Sequence, residues 1–379
     1  MHRTGSLPRG RSPHRSAARS RPVARVVRTA LLLLVLLVAS LGTVSVGAVP
    51  GAVPSPLDPG ALPRGPDPAL AHLVHGWIRD GDQRVRAPLG RATHQSLWAV
   101  DGGYVVRDVD VGVHHRVRVR FVAASSERSL VTPTQRWVGV AVSPDGRQVA
   151  LQEEVGATGV RSRVTVVRPA TGRVLAHRTF RLATLVAVTR DRVLLGRRTH
   201  WRDPATVWWT YRGPDRDRMR RMHDQAAVRA DVAHDRVVLS TSPPGEFCLR
   251  VAALSRPAHT LWRSCRLAPH QWSPDGAHVL LTHTYFDAAG TDTWWVADGH
   301  TGRVVAEVSG RLDWHAVWED DSHFLTLAQS STGTAAVVRC DLTGACERAS
   351  RTWDVPLPDP SVYYAPPPVV LAQASMPVK

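Results

Sequence analysis

Val142-Ser143-Pro144-Asp145-Gly146 and Trp272-Ser273-Pro274-Asp275-Gly276 are two copies of one turn, each standing between two apolar runs. Proline at the second turn position presets φ, aspartate can bond its own backbone, and glycine accepts positive φ. The flanks should therefore pair as antiparallel strands, Trp137 to Val142 with Gln148 to Glu153, and His270 to Ser273 with His278 to Thr284. Weaker copies contain Trp98-Ala99-Val100-Asp101-Gly102, Val188-Thr189-Arg190-Asp191, Val232-Ala233-His234-Asp235 and Trp318-Glu319-Asp320-Asp321. The aspartates at this point, Asp101, Asp145, Asp191, Asp235, Asp275 and Asp320, are 44, 46, 44, 40 and 45 residues apart. A period of about 40–45 residues with four strands per unit is the mark of a β-propeller blade.

The rest of each unit agrees. After the aspartate hairpin comes a third strand, a Thr-Gly turn and a return strand, as in Val164–Arg168, Thr171-Gly172 and Val174–Phe180. Trp294–Ala297 with Val304–Val308 about Thr301-Gly302, and Ala335–Cys340 with Ala345–Ser350 about Thr343-Gly344, repeat the arrangement. Val, Thr, Trp and Leu dominate these runs, as half-buried strands require. The expected fold is all-β, a propeller of six four-stranded blades preceded by one N-terminal transmembrane helix. Residues 70–94 and 353–372 leave room for a seventh blade, or for closing the ring by sharing one blade between the two ends. Over residues 95–352 the chain resembles the WD40-like, Pro-Asp-containing propeller repeats found in TolB-type periplasmic proteins. That resemblance implies the fold and leaves the activity open, because propellers carry many unrelated functions.

Residues 1–29 hold eight arginines and no acidic residue, which reads as a cytoplasmic leader, and residues 30–49 are free of charge. Twenty apolar residues match the hydrocarbon thickness for one helix, and the basic flank keeps the N-terminus inside. The competing reading is a signal peptide cleaved near Val46-Gly47-Ala48, which would release the protein. Either way the propeller, assigned to residues 70–372, lies outside the cytoplasm, with the cell membrane as its location in the first reading. Residues 50–69 are Pro-rich, with seven prolines between Pro50 and Pro68, and read as an extended spacer. Residues 373–379 read as a loose tail.

The four cysteines form two sequence-local pairs. Cys340 and Cys346 flank the turn at residues 341–345, and Cys248 and Cys265 are symmetric about Arg256-Pro257, so each pair would face across a hairpin. Two disulfides suit an oxidising compartment, and four free thiols are the alternative. Net charge is +16, of which the leader carries eight. Lys379 is the sole lysine, which points to the codon usage of a GC-rich genome such as an actinobacterium's. The remaining arginines are strewn rather than clustered with aromatics, which argues against nucleic-acid binding.

No Gly-x-Ser-x-Gly elbow, phosphate loop or His-Glu-x-x-His helix occurs, so no catalytic residue, metal ligand or cofactor is assigned. His114-His115 would point to opposite faces of a strand, and turn chemistry accounts for Glu319-Asp320-Asp321. Of the thirteen tryptophans, Trp98, Trp272 and Trp318 open the aspartate turn and read as packing between blades. Trp208-Trp209 and Trp294-Trp295 should each place one ring inward and one outward. One segment breaks the repeat: Gly213 to Gln225 reads as a helix begun by Pro214 and Asp215, with Met219 and Met222 on one side. Departures from a repeat often become functional loops, so Trp201, Trp208, Arg216, Arg218, Arg220 and Arg221 are the candidate surface for an acidic partner. The expected role is a monomeric binding, scaffold or sensor module for a protein or envelope polymer. The alternative is a lyase or glycosidase with its site at the channel mouth.

Overall fold

The computed structural model describes residues 56–373 apart from 91, 93, 111–115, 133, 135–136, 157–159, 199–203, 242–247, 285–289 and 356–367. The basic leader, the apolar run 30–49, residues 374–379, Trp201 and His114-His115 lie outside them. Among the described residues there is no helix, and none therefore that could cross a membrane.

Every sheet is antiparallel. β1 (His72–Val74), β2 (Trp77–Asp80) and β3 (Gln83–Arg86) open the first unit. β4 (His94–Val100), β5 (Gly103–Asp110), β6 (Arg116–Ala123) and β7 (Ser126–Ser129) form the second. β8 (Val138–Val142), β9 (Val149–Val155), β10 (Arg161–Arg168) and β11 (Arg173–Arg181) form the third. The fourth is β12 (Ala183–Val188), β13 (Arg192–Arg198), β14 (Pro204–Thr210) and β15 (Met219–His223). The fifth is β16 (Ala227–Asp231), β17 (Arg236–Ser240), β18 (Leu249–Ala253) and β19 (Thr260–Ser264). The sixth and seventh share one long strand. β20 (Leu267–Trp272), β21 (His278–His283) and β22 (Thr291–Asp298) lead into β23 (Val304–Trp318), whose second half pairs with β24 (His323–Gln329). β25 (Thr334–Asp341) and β26 (Cys346–Arg348) follow, and β27 (Trp353–Asp354) also pairs with β25. Finally β28 (Val369–Leu371) returns to pair with β1, as Leu73 opposite Val370, and completes the first unit in the order β28-β1-β2-β3.

The described residues thus make seven four-stranded units, one more than the six aspartate turns. Each aspartate turn joins the first and second strand of a unit, and in the unit closed by β28 those two strands come from opposite ends of the chain. No turn is needed there, so the repeat marker is missing.

The core is divided in the same way. Seven apolar clusters lie at seven seams, each drawing from two adjacent units. The last joins Val317, Leu325 and Val337 of the seventh unit to Val369 and Leu371 of the first. Both faces of a sheet are therefore covered, and this corrects the expectation for Trp208-Trp209. Trp209 fills the seam toward the third unit and Trp208 the seam toward the fifth, so both are buried. Trp98, Trp272 and Trp318 are also buried, and truncating a core tryptophan costs about 3–5 kcal/mol.

Residues 213–225 are not helical. Turns over 212–217 lead into β15, where Met219 pairs with Trp209 and Arg220 with Trp208. β14 would otherwise present an open edge of backbone donors and acceptors. Two methionines three apart share a helix face but take opposite faces of a strand, and here Met219 packs on one seam and Met222 on the other.

The turns use their side chains alike. Ser143 Oγ donates to Asp145 Oδ1 at 2.6 Å, and Arg147 N donates to the same oxygen at 3.1 Å. In the second sharp copy Ser273 Oγ donates to Asp275 at 2.6 Å and Ala277 N at 2.9 Å. Gly146 has φ 68°, and a Cβ there would lie 2.7 Å from the Asp101 nitrogen, which itself donates to Gly146 O. Disulfides join Cys248 to Cys265 and Cys340 to Cys346 across the outer hairpins of the fifth and seventh units.

The segment expected as a spacer, 50–69, is partly docked. Leu57 N donates to Ser309 O at 2.8 Å, Leu57 and Leu62 pack on the seam between the sixth and seventh units, and Arg348 N donates to Pro63 O at 2.8 Å. Arg339 clamps the strap: its Nη2 donates to Glu319 Oε1 at 2.9 Å and to Asp67 O at 3.2 Å, and its Nη1 reaches Glu347 Oε1 at 2.7 Å. Glu319 in turn accepts from Ala69 N at 2.6 Å, so it serves an ion pair rather than a cation site. Hydrogen bonds to Glu319 and Glu347, opposed by burial, raise the Arg339 pKa further.

Two outcomes are expected. Arg339→Ala leaves the buried Glu319 carboxylate without its guanidinium, so unfolding free energy should fall by about 3–5 kcal/mol, and protease should cut within 56–69. A loss below ~1 kcal/mol with the strap still protected would contradict the clamp. The second concerns acid. Burial pushes the carboxyls of Asp320, Asp145 and Asp341 up, but hydrogen bonds outweigh it and hold all three below the usual 3.8, Asp320 at about 2. At Asp275 and Asp298 the hydrogen bonds from Ser273 and Thr301 lead. These folded values lie below the unfolded ones, so their stabilisation is complete above the unfolded value and is lost as pH falls through the folded values. The melting temperature should therefore drop between about pH 4 and pH 2, and Asp320→Asn should flatten that drop. An unchanged acid limb in the variant would oppose this assignment.

Candidate functional site

First-to-second and third-to-fourth strand turns leave the sheets at the same end of the units. On that end, a cavity of about 690 Å³ is bounded by the β12–β13 turn, through Arg190, Asp191 and Arg192, and by the β14–β15 segment, through Arg212, Arg218 and Arg220. Trp208 forms its floor, and the Arg192 guanidinium lies 5.3 Å from that ring's centroid. The long turn preceding β15 gives this place its depth, with Gly213 (φ 92°) and Asp217 (φ 67°) in the left-handed region.

Two smaller cavities adjoin it. One of about 300 Å³ shares Arg212 and Gly213 and adds Arg168, Arg173 and Arg216. The other, about 250 Å³, shares Arg168 and adds Asp101 and Arg147. The result is a groove across the turns of the second, third and fourth units, lined by nine arginines and three aspartates, Asp101, Asp191 and Asp215. All three aspartates are engaged: Asp191 by Arg192 at 3.3 Å, Asp215 by Arg218 at 3.3 Å and Asp101 by Arg147 at 3.4 Å. Beside the lining, Asp217 pairs with Arg216 at 3.7 Å and Asp145 acts on Arg147, so nine minus five leaves four positive charges. Guanidinium groups present planar forks that match carboxylate and phosphate, so such a groove suits an anionic chain.

Of the residues singled out from the sequence, Trp208, Arg218 and Arg220 meet in the large cavity and Arg216 lines its neighbour. Arg221, next along the strand, takes the other face, where its Nε donates to Asp224 at 2.8 Å. Sequence reasoning missed Arg147, Arg168, Arg173, Arg190, Arg192 and Arg212. The available signal was position: Arg147, Arg190 and Arg192 each lie within two residues of a repeat aspartate.

A second gathering of charge lies inside the ring. The innermost strands of the fourth to seventh units are bulged at matching points, between Leu185 and Ala187, Ala227 and Arg229, Pro269 and Gln271, and Leu312 and Ala316. Bulges re-aim side chains, and Arg229 and His315 come into electrostatic reach of His270, while Asp313, His315 and Arg107 come into reach of His94. Arg229 Nη1 donates to His270 O at 2.6 Å and lies 3.0 Å from His270 Nδ1. Asp313 Oδ1 accepts from His315 N at 2.8 Å and lies 3.1 Å from its Nδ1. Arg107 donates to Val138 O at 3.1 Å and Ser96 Oγ at 3.0 Å, and stacks 4.4 Å from the Trp137 centroid. Burial holds His270 well below its usual pKa, aided by Arg229 and His315 and opposed by a backbone hydrogen bond to Ala316. Burial likewise lowers His94, and lowers Arg107 and Arg229 to about 10 each. Among the described residues no three His, Cys, Asp or Glu are grouped to hold a metal ion.

No protein-family profile matches the chain, and no curated protein does. Solved structures do. The β-propeller domain of the Trilobed protease from Pyrococcus furiosus, of open velcro topology, superposes with a TM-score of 0.51 at 11% identity, over 73% of this chain and 86% of that one. The C-terminal WD40 domain of Sif2 gives 0.41 at 13% identity, over 66% and 70%. TolB from Acinetobacter baumannii gives 0.41 at 11%, over 61% of this chain and 58% of its own length. The chain is similar in structure to WD40 and TolB-type β-propeller proteins, at identities that establish the fold alone.

Proposed function

We propose that this protein is a binding module, held outside the cytoplasm by its apolar segment 30–49, whose propeller captures an extended acidic chain in the arginine groove. The observation that carries this reading is the groove's charge balance, nine lining arginines against three lining aspartates already engaged and two more, Asp145 and Asp217, beside them. The ligand class is a run of spaced carboxylates or phosphates, as in an acidic protein segment or an anionic envelope polymer. Trp208 is buried, so among the described residues the groove has no exposed aromatic anchor of the kind typical of a protein–protein hot spot. A flexible polyanion fits better than a folded apolar surface. The two disulfides suit an oxidising compartment. Glycoside cleavage requires two carboxylates flanking the bond. Among the described residues the carboxylate of the channel cluster is Asp313, and His315 already engages it, so the groove carries the function better.

The test uses the full chain in mild detergent, titrated with a poly-glutamate peptide, a phosphodiester polymer and single-stranded DNA. Both Arg218 and Arg220 are exposed, so the double variant Arg218→Ala/Arg220→Ala should fold normally and bind the preferred polymer at least ~10-fold more weakly. Arg303→Ala, at an exposed turn of the sixth unit, should bind as the wild type does. Affinity should fall steeply as salt rises. Equal binding by the double variant, or a clear preference for DNA, would overturn the reading.

A further inference from the structure

Arg229, half-buried on β16, is unlike the buried arginines among the described residues. Arg107 and Arg250 spread their hydrogen bonds over neutral acceptors on both terminal nitrogens, Val138 O and Ser96 Oγ for the first, Thr260 Oγ1 and His223 Nε2 for the second. Arg120 and Arg339 face carboxylates. Arg229 uses Nη1 alone, and both of that atom's partners belong to His270. Its Nε and Nη2 have no partner among the described residues, and these two lie side by side on one edge of the guanidinium, the fork that pairs bidentately with a carboxylate or phosphate. Arg229 is closely packed by protein yet remains partly solvent-accessible, as a residue on the channel wall must be.

Among the described residues no carboxylate pairs with it. With Arg229 donating to Nδ1, His270 is the neutral tautomer protonated on its other ring nitrogen. Among the described residues the carboxylate of the cluster is Asp313, and it is engaged by His315. The guanidinium is half-buried and its unpartnered edge is open to solvent, so an anion can take the place of water there, and the bulge between Ala227 and Arg229 falls at this point of β16. We infer that the central channel contains a seat for a small anion, a single carboxylate or phosphate group, clasped by the Nε/Nη2 edge of Arg229 beside His270. It is distinct from the outer groove, which lies on the turns of the second to fourth units.

The experiment keeps the two apart. Full chain in mild detergent, labelled with ¹³C at histidine Cε1, is titrated separately with inorganic phosphate and with acetate, and the His270 resonance is assigned by its loss in His270→Gln. Saturable movement of the His270 signal is expected with at least one probe, and which probe moves it identifies the class of anion. Arg229→Gln should weaken that binding at least ~10-fold. Arg229→Lys, which keeps the charge but loses the fork, should also weaken it, and guards against misreading a folding defect. The groove variant Arg218→Ala/Arg220→Ala should leave the His270 titration unchanged. Binding within twofold of wild type in both Arg229 variants would overturn the inference. So would anion binding that never moves His270, or no saturable response to either probe.

Discussion

The three residues of β28 set the condition for everything else in this fold. A unit whose two faces are both apolar cannot stand alone, because each face needs a neighbour. A row of such units would end in two bare faces, and pairing β28 with β1 bends the row into a ring that has none. The closure is short in sequence but is backed by the seam from Val317 to Leu371 and by a parallel bridge from Leu97 to Ala372. Opening it would bare both faces of that seam. The strap of residues 56–69 lies across the sixth and seventh units, and its Arg339 clamp secures the chain next to that closure.

Much of this was legible because turn chemistry is local. Ser, Pro, Asp and Gly declare their conformations within five residues, so the aspartate turns reveal the period even where the copies decay to Val-Thr-Arg-Asp. The seventh unit was not countable in this way, because its first two strands meet only in space. Residues 213–225 misled for a related reason. Apolar residues three apart are a helical signal only when one face is buried, and in a propeller both faces are. The same double burial placed Trp208 and Trp209 in two different seams instead of leaving one exposed on the surface.

The candidate site was legible in part. Arg218 and Arg220 stood out because their segment breaks the repeat, whereas Arg190 and Arg192 looked like ordinary solvated turn residues. Their meaning comes from the ring, which stacks turns 40 to 46 residues apart in sequence into one continuous rim. The channel residues left no sequence signal at all. Arg229, His270 and His315 are spaced like any repeat-equivalent positions, and the bulges that direct them inward follow from sheet closure rather than from a local motif. Fold and function therefore separate cleanly here: apolar seams build the ring, and the turns and bulges, which contribute little to the seams, are free to carry charge.

The central claim is that the acidic ligand lies along the turn rim of the second to fourth units. Amide hydrogen exchange of the full chain, with and without the acidic polymer, addresses it directly. The account expects slowed exchange in residues 145–148, 168–173 and 210–220, with the opposite rim, including 75–77 and 368–371, unchanged. Protection confined to that opposite rim, or a ligand-bound protein with no change at 210–220, would contradict it.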